Sequence, residues 1–107
     1  MEKAVGFDMT EVFVAAENIV SPLGLTAREN FGRVKAGESG ISRQPGGFFA
    51  SVIPDGLLLT PVKENNLSGY TKFERLLILS VQEALSHTSI SLRDKRTAFI
   101  VSTTKGN

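Results

Sequence analysis

An α/β fold is the class this sequence predicts, on three observations. Val12 to Ile19 and Thr97 to Val101 are apolar segments of strand composition that do not alternate with polar residues. Two segments of helical pattern, opening at Thr26 and at Thr71, lie between them. The stretch separating those helices is dense in proline and glycine. Strands apolar on both sides are those of a sheet covered on both faces, and strands separated by helices pair in parallel layers. The expectation is a central sheet holding both strands, with flanking helices and a loop-rich insert.

The first strand opens with Val12-Phe13-Val14-Ala15-Ala16, unbroken by any polar residue. Ser21-Pro22-Leu23-Gly24 then makes a turn. Thr26 opens the first helix: its hydroxyl can accept from the backbone N–H three residues on, and Glu29 can reach back to complete a capping box. Ala27, Phe31 and Val34 form a narrow apolar stripe at helical spacing, and Gly37 supplies the left-handed conformation that ends a helix. Residues 42–67 contain Pro45, Gly46, Gly47, Pro54, Gly56 and Pro61, which argues against continuous helix. One short strand within Phe48 to Ile53 is expected in this insert. The second helix, Thr71 to Ser86, places Phe73, Leu76, Leu77, Val81, Ala84 and Leu85 on one face. Ile78 widens that face, and Leu79 projects from the opposite, polar one.

A chain of 107 residues is one domain or part of one. Twelve basic against eleven acidic residues give no electrostatic reason to expect nucleic acid or an anionic membrane as partner. The absence of cysteine excludes disulfides and thiolate metal sites and fits a reducing, cytoplasmic setting. No secretory signal is evident at the N-terminus, and Leu76-Leu77-Ile78-Leu79 is too short an aliphatic run to span a bilayer.

Several motifs are excluded by spacing. Ser21 is flanked two positions either side by Ile19 and Leu23, where a hydrolase nucleophile elbow needs glycines. Lys105-Gly106 lacks the preceding glycine of a phosphate loop, and Gly37 to Gly40 follows a helix instead of opening one. Glu38-Ser39-Gly40 reads as a helix exit. His87, at the end of the second helix, suits the carbonyl end of the helix dipole and has no companion ligand at metal-binding spacing.

The strand, the Val20-Ser21-Pro22-Leu23-Gly24 turn, the short helix and the Gly37-Glu38-Ser39-Gly40-Ile41 exit together resemble the opening of the β-ketoacyl-acyl carrier protein synthases. These are the condensing enzymes of fatty acid and polyketide assembly. Tyr70-Thr71-Lys72-Phe73 leading to Val81-Gln82-Glu83-Ala84-Leu85 resembles a later helix of that family, and the strand Thr97 to Val101 follows in family order. The resemblance covers most of Val12 to Ser102 and implies the N-terminal part of a thiolase-like fold, with residues 1–107 forming a single partial domain.

The resemblance further implies an intact acyltransferase that condenses an acyl thioester with malonyl-acyl carrier protein, with acyl carrier protein as partner and no cofactor. The family holds the acyl group on a cysteine and decarboxylates the extender with two later histidines, or a histidine and an asparagine. A thiolate is nucleophilic near neutral pH, whereas a serine needs an adjacent base. No catalytic residue is therefore expected within this chain, and His87 takes no family role. Thr103, Thr104 and Lys105 fall where the family approaches its acyl pocket and subunit interface. Thr104 matches a position often apolar there, while Val101, Thr103 and Lys105 replace small residues or glycine. A homo-oligomer is expected, since sheet edges and helix faces are left open. The alternative is a free-standing, non-catalytic domain docking acyl carrier protein or a full-length synthase through Arg28, Arg33 and Lys35, or through Lys72 and Arg75.

Overall fold

The computed structural model describes residues 11–100 and has mixed α/β character. Three helices, α1 (Ala27–Lys35), α2 (Asp55–Glu64) and α3 (Lys72–Leu85), accompany strands β1 (Ser42–Arg43) and β2 (Phe49–Ala50). The strands pair antiparallel, Ser42 opposite Ala50 and Arg43 opposite Phe49, in a two-stranded sheet.

Among the described residues the expected central sheet does not form. Residues 11–20 and 97–100 carry no strand, and Val101 lies outside the described residues. Strand composition does not make a strand; a ladder partner does, and neither segment finds one among the described residues. Val12, Phe13 and Val14 are 90%, 79% and 81% exposed, and Ile100 is 85% exposed. The radius of gyration, 17.6 Å, exceeds the roughly 13 Å of a compact domain of about this length.

α1 begins and ends as its sequence specifies. Thr26 is the N-cap, and its hydroxyl accepts from the Glu29 N–H at 3.0 Å. The Glu29 carboxylate reaches one residue further back than a capping box requires, accepting from the Leu25 N–H at 2.9 Å. Gly24 makes room for it: with φ at +154°, a Cβ there would lie 2.4 Å from Glu29 Oε2. At the other end Glu38 N–H bonds the Arg33 carbonyl and Gly37 N–H that of Val34, both at 3.0 Å. With Gly37 at φ +86° this is a Schellman motif. The apolar stripe is not buried, however: Phe31 and Val34 are 69% and 61% exposed.

α2 corrects the reading of residues 42–67 as loop-rich. A ten-residue helix occupies Asp55–Glu64 with Pro61 inside it. An interior proline removes one helical donor and costs about 3 kcal/mol. Tertiary burial offsets that cost here, because Leu58, Val62 and Leu67 form the hydrophobic core. Leu67 reaches the core through the helix exit. Asn66 adopts φ +55°, and the Leu67 N–H returns to the Val62 carbonyl at 2.9 Å. This second Schellman closure brings Leu67 against Val62, the usual apolar contact of the motif. The short strand expected within Phe48 to Ile53 is present as β2.

α3 matches the expected Thr71 to Ser86 helix within a residue at each end, and Thr71 with Glu74 forms a full capping box. The orientation of its faces differs from expectation. Leu76, Ile78 and Leu79 pack on the α2 cluster, so Leu79 contacts the core instead of projecting from a polar face. No α3 residue is fully buried, Leu77 included. Lys72 and Arg75 fix the α2–α3 pair: Lys72 bridges Asp55 at 3.0 Å and donates to the Ile53 carbonyl. Arg75 donates to the carbonyls of Leu67 and Ser68 at 3.0 and 2.6 Å.

Leu58, 3% exposed, is the most buried core residue, so Leu58→Ala is expected to cost about 2–5 kcal/mol in urea-monitored unfolding. Leu77→Ala, at a half-buried position, is expected to cost less. Equal losses would mean that α3 carries as much of the core as α2.

Candidate functional site

The two motifs singled out in the sequence, residues 20–24 and 37–41, meet where Gly40 approaches Pro22 and Leu23, and the first of them is held by one buried asparagine. The turn is self-bonded: Ser21 N–H reaches the Gly24 carbonyl at 2.9 Å, and Gly24 N–H returns to the Ser21 carbonyl at 3.0 Å. Pro22 suits the second position of such a turn because its φ is already fixed. The Ser21 hydroxyl accepts from the Leu23 N–H at 3.0 Å, which holds the turn from inside. Gly40 closes against it, where a Cβ would sit 3.4 Å from Pro22 Cδ and 3.5 Å from Leu23 Cγ.

Asn30, 6% exposed, is the buried polar residue at the centre. Its amide nitrogen donates to the carbonyls of Ile19, Gly24 and Thr26 at 3.0, 3.2 and 2.8 Å. Two N–H bonds serve three acceptors, so one is shared. Its Oδ1 accepts from the Ser21 hydroxyl. Asn18 forms a second clamp: Oδ1 accepts from the Ala27 N–H at 2.9 Å, while Nδ2 donates to the Leu25 carbonyl at 2.9 Å and to Ser80 Oγ at 3.1 Å. The segment before α1, the start of α1 and the middle of α3 are thus tied together. Sequence reasoning named neither asparagine. Asn30 could have been noticed as a polar residue four positions after the N-cap, where its amide can reach the N-cap carbonyl.

This arrangement is structural chemistry. The Ser21 hydroxyl accepts from Leu23 within the turn and donates to Asn30 Oδ1 in α1, and the chain has one histidine. His87 is exposed and lies 3.0 Å from Glu83, one helical turn earlier. Ser39 accepts from the Ile41 N–H at 3.1 Å. Among the described residues no cluster of three or more histidine, cysteine or acidic side chains could hold a metal ion, and no helix is long and apolar enough to cross a membrane. Thr103, Thr104 and Lys105 lie outside the described residues.

The basic residues divide into two groups. Lys72 and Arg75 are bonded to the α2 end and its following turn, whereas Arg28, Arg33 and Lys35 are exposed on α1. Near the C-terminal end of the described chain, Arg96 grips Asp94 at 2.8 Å and holds its carboxyl below the usual range.

Comparison with known proteins returned no match among family models, curated proteins or solved structures.

Asn30→Ala is expected to destabilise the chain by about 1–3 kcal/mol, because it strands buried carbonyls and the Ser21 hydroxyl. The check is the urea midpoint at unchanged m-value. A loss below about 0.5 kcal/mol would mean that water replaces the amide without penalty.

Proposed function

We propose that this chain is the N-terminal portion of a 3-oxoacyl-acyl carrier protein synthase with a thiolase-like fold. The intact enzyme performs decarboxylative condensation of an acyl thioester with malonyl-acyl carrier protein in fatty acid or polyketide biosynthesis. The observation that carries the reading is the pair of strand-like segments left without partners. Val12, Phe13 and Val14 at one end and Phe99 and Ile100 at the other are apolar and exposed. Side chains of this kind are covered in a soluble enzyme, and strands supplied by further sequence would cover them. The turn–helix–exit unit supports the same reading, since Asn30 holds the turn to the helix start and Gly40 of the exit lies against Pro22 and Leu23.

In this reading the portion described builds scaffold and carries no reacting group. The family holds its acyl group on a cysteine thiolate, and this chain has no cysteine. The intact enzyme takes acyl carrier protein as partner and associates with itself, and Thr103, Thr104 and Lys105 contribute to its acyl pocket or subunit interface. A second reading, a non-catalytic domain that docks acyl carrier protein, draws on Arg28, Arg33 and Lys35, which stand exposed on α1 while Lys72 and Arg75 are engaged internally.

Incubated with acyl-carrier substrates, this chain is expected to yield no acyl-enzyme and no condensed product by intact-mass spectrometry. A covalent adduct turning over at a serine would contradict the proposal. The coding sequence beyond Asn107 distinguishes the two readings. Continuation to a cysteine and two histidines supports the synthase, and an immediate stop supports the docking domain.

A further inference from the structure

Asp55 is the only aspartate in the sequence followed by glycine, and no asparagine is followed by one. It opens α2 at the least secured helix start of the three. The N-cap there, Pro54, makes no side-chain bond, whereas Thr26 and Thr71 cap α1 and α3 with theirs. The Asp55 side chain is 88% exposed and meets Lys72 at 3.0 Å, an exposed pair that holds it only weakly. Gly56 comes next, the residue that regains most backbone freedom when a helix end frays. Its N–H lies in the first turn, where the helix supplies no acceptor. The space beside it is open too, since a Cβ built on Gly56 would meet nothing within 4 Å. Asp94 is the contrast: its carboxylate takes hydrogen bonds from Arg96 at 2.8, 3.1 and 2.8 Å, and its neighbour is Lys95.

We propose that Asp55-Gly56 is a spontaneous modification site, where the aspartate converts to isoaspartate through a cyclic imide. The Gly56 nitrogen attacks Asp55 Cγ and loses its proton while the carboxyl loses an oxygen, so one water leaves and a five-membered ring closes. Water then adds at either ring carbonyl. Opening at the Asp55 backbone carbonyl leaves the main chain running through Cβ and Cγ, and opening at Cγ restores aspartate. Each cycle releases one water and takes up one, with no oxidant or co-reactant. The isomer lengthens the main chain by one carbon at the start of the helix that carries Leu58 and Val62, and it displaces the carboxylate that meets Lys72. The site asks nothing of the synthase reading.

The test is incubation of the full 107-residue chain at neutral pH in water enriched in heavy oxygen, with peptide fragmentation to locate the label. Each imide hydrolysis installs one solvent oxygen. Label is expected to accumulate at Asp55, together with backbone fragments diagnostic of isoaspartate, and to stay at background at Asp94. Asp55→Glu keeps the charge but would have to close a six-membered ring, and is expected to abolish the signal. Gly56→Ala, which the open space accommodates, is expected to cut it several-fold. Label that enters Asp55 only in urea would show that the first turn of α2 stays closed, and would overturn the proposal. Equal labelling at Asp94, or an unchanged rate in Gly56→Ala, would overturn it as well.

Discussion

The buried amide of Asn30 is the interaction on which the arrangement of the first half depends. A single side chain donates to carbonyls before the turn, within the turn and at the helix start, and accepts from the serine that opens the turn. Left unpaired, those carbonyls would each carry the cost of a desolvated polar group. Because one residue satisfies them together, the direction of α1 relative to the preceding segment is set by hydrogen bonds and not by apolar packing. This explains an otherwise odd combination: α1 is well capped at both ends, yet Phe31 and Val34 are exposed.

Apolar packing governs the second half instead. Leu58, Val62 and Leu67 gather Leu25, Ile53, Leu76, Ile78 and Leu79 around them. The two halves meet where Asn18 reaches Ser80 and where Leu25 touches the α2 cluster. That junction is narrow, and much apolar surface remains uncovered on either side of it. Such exposure exceeds the scattered single residues ordinary on a protein surface.

Local signals were legible in the sequence, and those that depend on distant partners were not. Thr26, Gly37 and the span of α3 follow from capping and periodicity, which act within a few residues. α2 was hidden because Pro54, Gly56 and Pro61 argue locally against helix, while the burial of Leu58 and Val62 that outweighs them is tertiary. The side of α3 occupied by Leu79 was misjudged for the same reason: without α2 as a helix, nothing stood opposite it. Composition predicts strands at Val12 to Ile19 and Thr97 to Val101, yet pairing is a property of two segments. Asn30 escaped notice because a polar residue mid-helix ordinarily faces water, and only the turn folded over it makes it buried.

The claim that joins fold to function is that the strand-like ends are unpaired in this chain while α2 and α3 form its stable part. Amide hydrogen exchange measures this directly, since protection reports hydrogen bonding and local opening residue by residue. The account predicts slow exchange in the α2 and α3 interior, and exchange near the unprotected rate at Val12 to Val14 and at Ala98 to Ile100. Protection of those end segments equal to that of α3 would show that they pair within or between copies of this chain, and would contradict the account.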